Sequence, residues 1–128
     1  MSYFLTKNFA IPYEEAVEKT RQALKAEGFG ILTEIDVKAT LKQKLDADFR
    51  NYIILGACNP PLAYQALQAE ANIGLMLPCN VVVQDKEDGT TEISAIDPAV
   101  AMQAIDNPHL KSIAGKVRES LRRVLDSL

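Results

Sequence analysis

Two cysteine–asparagine pairs are the residues of this sequence whose types and spacing most suggest chemistry. Cys58-Asn59 ends an apolar run and precedes two prolines, while Cys79-Asn80 opens a run rich in valine. Helix amides stabilise a thiolate at a helix start and thereby lower its pKa. Cys58 is therefore a candidate for a reactive or metal-binding thiol, although cysteine also packs often as a small buried apolar group.

Whether the two thiols meet depends on the segment that joins them. If the helix predicted between them is an ordinary crossover, the flanking strands are parallel and the thiols lie about 17–20 Å apart. That separation excludes a disulfide or a shared metal. The thiols meet only if Ala71–Leu77 carries the chain back before the second strand begins. Met102, otherwise expected in the core, could then supply soft ligands together with Cys58 and Cys79 for copper(I) or a similar ion.

Four other polar residues have a structural and a functional interpretation. Asn59 and Asp97 each precede a proline, which is typical of a helix N-cap, but both could line a site. Asn80 lies in an apolar strand, where its amide needs partners, so it orders a loop or lines a pocket. The sole histidine, His109, is expected to be exposed, and no motif supplies the nucleophile and carboxylate of a hydrolytic triad.

Hydropathy periodicity indicates the elements that position these residues. Strands are predicted over Tyr3–Phe9, Phe29–Asp36, Asn51–Cys58, Cys79–Asp85 and Thr91–Ile96. Helices are predicted over Tyr13–Glu27, Val37–Leu45, Pro61–Glu70, from Asp97-Pro98 onward, and over Leu110–Leu125. The order β-α-β-(α)-β-α-β-β-α-α favours an α+β domain with a single mixed sheet of about five strands and helices mainly on one face.

Composition limits the function classes. A chain of 128 residues with 48% hydrophobic and 24% charged residues is typical of a single globular domain, here 1–128. A net charge of −3 and 6% aromatic residues argue against nucleic-acid and acidic-membrane partners. No signal-peptide pattern or membrane-length apolar run occurs, so a cytosolic location with reduced thiols is predicted. The cations of the last helix are interpreted as a solvated face.

Three segments carry a resemblance to a known family. Leu55–Pro60 (LGACNP), Leu77–Val83 (LPCNVVV) and Ser94–Pro98 (SAIDP), with Gly28-Phe29 ahead of the second strand, resemble the domain-of-unknown-function 302 family. The resemblance covers nearly the whole chain in matching order and spacing. It implies a compact α+β domain of bacterial and archaeal proteins, and it implies no activity or catalytic residue.

The leading hypothesis is a non-catalytic module that binds a small ligand or a partner, without a cofactor. Its ligand-binding candidates are Cys58, Asn59, Asn80 and Asp97. The Cys58–Pro60 and Asp97-Pro98 turns both follow strands, so both are expected side by side at the carboxyl edge of the sheet, where ligands bind. An uncovered sheet face or edge also favours a homodimer. The alternative hypothesis is a thiol-based metal-binding or redox protein that uses Cys58, with or without Cys79. A purely structural interaction domain would have no pocket.

Overall fold

The computed structural model describes residues 2–128, which form one sheet with helices packed against it. The strands are β1 (Phe4–Phe9), β2 (Gly30–Asp36), β3 (Tyr52–Cys58), β4 (Cys79–Asp85) and β5 (Thr91–Ile96). The helices are α1 (Tyr13–Ala26), α2 (Val37–Leu45), α3 (Pro60–Ala69), α4 (Pro98–Ala101) and α5 (Pro108–Asp126), with a 3-10 helix over Ala71–Met76. The strand order is β1-β5-β4-β3-β2.

All pairings in this sheet are antiparallel, which confirms the α+β class but makes the expected mixed sheet wrong. The chain does not cross over between β3 and β4. Instead α3 and the 3-10 helix return it to the rim at which β3 ended, and β4 runs back beside β3 with Cys79 opposite Ala57. The expectation that distance separates the two cysteines is therefore also wrong, and the alternative route through Ala71–Leu77 is the one adopted.

Alternation along the strands directs one set of side chains toward the helices. Leu55, Val81, Val83 and Ile93 are completely buried on this face, under α1 and α5. Each such burial stabilises the fold by about 1.5–3 kcal/mol. They belong to a first hydrophobic cluster between sheet and helices. A second cluster lies among α3, the 3-10 helix, α4 and α5: Ala66, Ile73, Met102, Leu110, Ile113 and Ala114.

Side-chain caps begin four of the helices, as the sequence predicts for two of them, and Asp36 caps α2. Asn59 Oδ1 accepts from the Leu62 amide at 3.3 Å, and Asp97 Oδ1 accepts from the Ala99 amide at 3.0 Å. Asn107 caps α5, which therefore begins at Pro108, two residues before the predicted start. These caps fix the turns at which β3 and β5 pass into helices.

The helix α2 lies on the surface, as predicted, since none of its residues is buried. Among residues 2–128, no helix has the length and apolar character that crossing a membrane requires.

The face of the sheet opposite α1 and α5 is called the open face below. Its side chains alternate with the buried ones, so that exposed Asn80 lies between buried Cys79 and Val81. The strand register gives members that include Phe4, Thr6, Asn8, Thr33, Ile35, Tyr52, Ile54, Gly56, Asn80, Val82, Gln84, Glu92, Ser94 and Ile96.

Candidate functional site

The turns that follow β3 and β5 emerge at the same rim of the sheet. Both strands flank β4 antiparallel to it, and they therefore run parallel to each other. Their carboxyl ends lie two strand spacings apart, about 10 Å. Cys79, the first residue of β4, lies between them, so the rim brings together Cys58-Asn59, Cys79 and Asp97-Pro98.

A small cavity, called the rim cavity below, lies beneath these turns. Its volume is about 30 Å³, and it occupies the seam between the two hydrophobic clusters. Its walls are almost entirely apolar. They are formed by Phe29, Ala57, Cys58, Asn59, Leu62, Ala63, Ala66, Leu77, Pro78, Cys79, Pro98, Met102, Leu110, Ile113, Ala114 and Val117. Four of the residues singled out in the sequence, Cys58, Asn59, Cys79 and Met102, are among them.

The two cysteines differ in environment. Cys58 ends β3 and is half-buried, whereas Cys79 is 7% exposed and, like its partner Ala57, faces the helices. Burial raises the pKa of the Cys58 thiol. Burial, followed by the neighbouring Cys58, raises the pKa of Cys79 to about 11. The expectation that helix amides lower the Cys58 pKa is wrong, because the loss of hydration at this position favours the neutral thiol.

Asn59 combines both interpretations made from the sequence. Its side chain caps α3 and also lines the rim cavity. Gly28, at φ +85°, lies beside it, and a Cβ at Gly28 would stand 3.7 Å from Asn59 Nδ2. The turn before β2 therefore packs closely on the cap, which holds the amide group at the mouth of the cavity.

Asp97 lies beside the rim cavity, while its neighbour Pro98 forms part of the wall. The buried Asp97 carboxylate accepts from the Ala99 amide and, at 2.9 Å, from Arg118 Nε. Both oxygens are thus engaged, and Asp97 joins α4 to α5. Arg118 therefore does not belong to a purely solvated cationic face. Arg123 also departs from that interpretation, since it pairs with Glu27 at 2.6 Å.

Asn80 is not brought to this site. It lies opposite Gly56 on the open face, where it lines a separate groove of about 260 Å³. The groove also contains Tyr3, Tyr52, Gln84 and Glu92. This groove was not predicted from the sequence, although the alternation of polar with apolar residues in Cys79–Asp85 and Thr91–Ile96 was a usable signal.

The structure limits the metal and triad hypotheses. Within residues 2–128, His, Cys, Asp and Glu form no group of three or more suited to a metal ion. A soft-ion site would therefore need the Met102 sulfur, which lines the same cavity as both thiols. His109 is exposed at the start of α5, as expected.

Comparison with known proteins agrees with the fold and supplies no activity. The profile of the family described as "Domain of unknown function DUF302" matches residues 5–128. The crystal structure of an uncharacterized conserved DUF302 protein from Bacillus stearothermophilus is similar, with a TM-score of 0.91 and 32% sequence identity over 98% of each chain. No curated protein matches the chain.

Proposed function

Because this chain belongs to the DUF302 family, whose description assigns no activity, we propose a function from the rim cavity: the protein is a non-catalytic binding module for a small apolar ligand. The observation that carries this proposal is an apolar cavity at the seam of two hydrophobic clusters, beneath two capped turns. Ligand sites are commonly apolar concavities with a few polar groups at their mouth, and here Asn59 and Cys58 supply those groups.

The size and lining of the cavity restrict the ligand. A volume of about 30 Å³ would admit a water molecule, but apolar walls leave such a space dry. Binding an apolar group there restores the dispersion contacts that the cavity walls lack. A ligand of more than a few heavy atoms would require α3 to move outward, since Leu62, Ala63 and Ala66 form one wall.

The state of the thiols supports binding over thiol chemistry. A thiol is nucleophilic as the thiolate, and burial raises the pKa of both cysteines. At neutral pH both groups therefore act as small, weakly polar wall elements, which disfavours a redox role.

Xenon tests the cavity as a single-atom apolar probe. We expect rising xenon pressure to shift the methyl NMR signals of Leu62, Ile113 and Val117. Ala66→Val fills the cavity and should abolish these shifts. Ala23→Val is the matched control, because it makes the same change in helix α1, outside the cavity, and it should leave the shifts intact. Absent shifts in the unmodified protein, or shifts that survive Ala66→Val, would contradict the proposal.

A second candidate function is favoured by one observation: Cys58, Cys79 and Met102 line the same cavity. Two thiolates and a thioether are ligands that copper(I) prefers, and metal binding would displace the thiol protons. Anaerobic titration with copper(I) against a competing chelator tests this site. Cys79→Ala and Met102→Leu should each weaken binding about tenfold or more. Equal affinity in all three proteins would exclude the site.

The cytosolic location predicted from the sequence remains a prediction. The homodimer also remains a prediction, and the open face provides a specific surface through which two copies can associate.

A further inference from the structure

A row of polar side chains crosses the open face at one end of the sheet. Gln84 lies at its centre, and its Oε1 accepts from Arg50 Nη2 at 2.9 Å while its Nε2 donates to Glu92 Oε2 at 3.1 Å. Ser94 Oγ donates to the same Glu92 oxygen at 3.3 Å. The Arg50 guanidinium lies over the rings of Phe49 and Tyr52, 4.5 and 5.5 Å from their centroids. Arg50 and Glu92 are thus held in place by neutral groups.

Neither of these charged side chains has an ion-pair partner within residues 2–128. Glu92 Oε1 accepts no hydrogen bond from the described part of the chain, and Arg50 donates only to Gln84. Both residues are half-buried. A cation and an anion are therefore fixed on one face of the sheet, joined through Gln84, and neither is in direct contact with an opposite charge of the described residues.

The middle row of the open face is apolar on β2, β3 and β4 and continues through Ser94 on β5. The register places Ile35 opposite Ile54, and Ile54 opposite Val82, across three adjacent strands. Ile35 remains 46% exposed. Phe4 lines the groove on the side of β1. An apolar centre with charged groups toward one end is the usual composition of a protein–protein interface.

The strand order relates the two charges to the centre of the sheet. β4 is the middle strand, with β5, which carries Glu92, on one side and β3, which Arg50 precedes, on the other. Two copies whose open faces meet can be related by a two-fold axis that runs parallel to β4 between the two sheets. This axis exchanges the β3 side of the sheet with the β5 side. It places β5 of one copy over β3 of the other, and it brings each Arg50 near Glu92 of the other copy. In such an isologous contact both pairs form together.

We propose that the open face is the contact surface of a homodimer, with its two-fold axis along β4, in which Arg50 of each copy pairs with Glu92 of the other. The occupant is a second copy because one operation pairs Arg50 with Glu92 twice and sets Val82, which lies on the axis, against Val82 of the other copy. Sheets facing each other at about 10 Å leave room for side chains to interdigitate, and the long arginine side chain reaches across that gap.

The dimensions of the face suit a dimer of moderate strength. Strands of six or seven residues and a five-strand width give a projected area of about 400 Å². Side-chain relief and the flanking Tyr3 enlarge the accessible area, yet the interface remains near the small end of stable interfaces, which bury about 800 Å² per partner. We therefore expect association that depends on protein concentration.

Sedimentation velocity of the full chain over a wide concentration range tests the proposal. We expect a monomer–dimer equilibrium. Arg50→Glu and Glu92→Arg should each weaken association about tenfold or more, since each places two like charges in contact. The double variant exchanges the charges and should restore association. Circular dichroism and thermal unfolding establish that every variant is folded.

A matched pair of apolar substitutions tests the face independently of the charges. Ile35→Lys lies on the open face and should prevent association, whereas Leu67→Lys, on α3, should not. Both side chains are 46% exposed, so neither change disturbs a core. A protein that stays monomeric at every concentration overturns the proposal. The proposal is also overturned if Ile35→Lys still forms the dimer and the double charge variant fails to restore association.

Discussion

Gly56 illustrates how a single residue without a side chain allows the open face to form. A Cβ at this position would stand 2.8 Å from Pro78 Cγ and would overlap Thr33 Oγ1. Thr33, in the middle of β2, and Pro78, which precedes β4, therefore both lie close over Gly56, just before the turn that carries Cys58.

We expect Gly56→Ala to destabilise the fold by about 1–3 kcal/mol, because Pro78 and Thr33 must both move. Gly115→Ala is the matched control. Gly115 lies in α5 with no atom near its Cβ position, and there alanine should stabilise the helix by roughly 0.5–1 kcal/mol. Urea unfolding of both variants measures the two changes, and equal effects would contradict the packing argument.

The buried Cys79 thiol predicts a loss of stability at high pH. Its pKa rises from an ordinary value of 9.0 to about 11, so the folded state binds the proton more tightly than the unfolded state. The contribution is complete below pH 9 and disappears as pH rises from 9 to about 11. Over that range the free energy of unfolding should fall by roughly 2–3 kcal/mol more in the unmodified protein than in Cys79→Ala.

Chemical denaturation at a series of pH values measures this difference, in which the lysine and tyrosine titrations common to both proteins cancel. Parallel pH profiles would indicate that the Cys79 thiol is hydrated in the folded state.

Single-residue properties of this kind were only partly predictable from the sequence. The caps at Asn59 and Asp97 follow from local sequence, whereas the thiol pKa values depend on packing that distant segments create.

At the scale of elements, the Asp97–Arg118 contact joins the short helix α4 to α5. Asp97 is 5% exposed, caps α4, and accepts from Arg118 Nε. Because α4 has only four residues, this contact is central to holding Pro98 and Met102 against the rim cavity.

Asp97→Ala removes both the cap and the charge partner, and we expect it to cost about 2–4 kcal/mol of folding free energy. Asp97→Asn keeps an oxygen for the cap and should cost about 1–2 kcal/mol. Lys111→Gln, an exposed change on the same α5 helix, should have little effect. Thermal and urea unfolding measure the three values, and an Asp97→Ala variant as stable as Lys111→Gln would contradict this role.

Element positions were largely predictable, while one connection was not. Strong periodicity located the strands and long helices to within a few residues of their observed ends. The 3-10 helix at Ala71–Met76 has no comparable pattern, because a short segment offers too few residues to establish a period. That segment determines the direction of β4, and the direction of β4 determines whether Cys58 and Cys79 lie close together.

At the scale of the whole molecule, the predicted meeting of the two turns at one rim is confirmed, although the expected sheet was different. β4 is antiparallel to both β3 and β5, so β3 and β5 run in the same direction. Their carboxyl ends therefore lie at the same rim of the sheet without any crossover connection. The open face was not predicted as a site, since its polar row unites residues from separate strands, such as Glu92 on β5 and Gln84 on β4. Which residues share a face depends on register, and register is a property of the assembled sheet.

The position of β1 at the edge of the sheet also affects how the chain folds. β1 pairs with β5, and 88 residues separate Thr6 from Ser94, whose hydroxyl groups lie 2.9 Å apart. The hairpins formed by later strands close much shorter loops, so they have a kinetic advantage over this closure. During synthesis β1 therefore cannot pair until the chain has emerged as far as β5, which ends at Ile96 of the 128 residues. Until β1 pairs with it, the backbone of β5 stays unpaired on one side, and an unpaired strand edge makes a partly folded chain prone to aggregation.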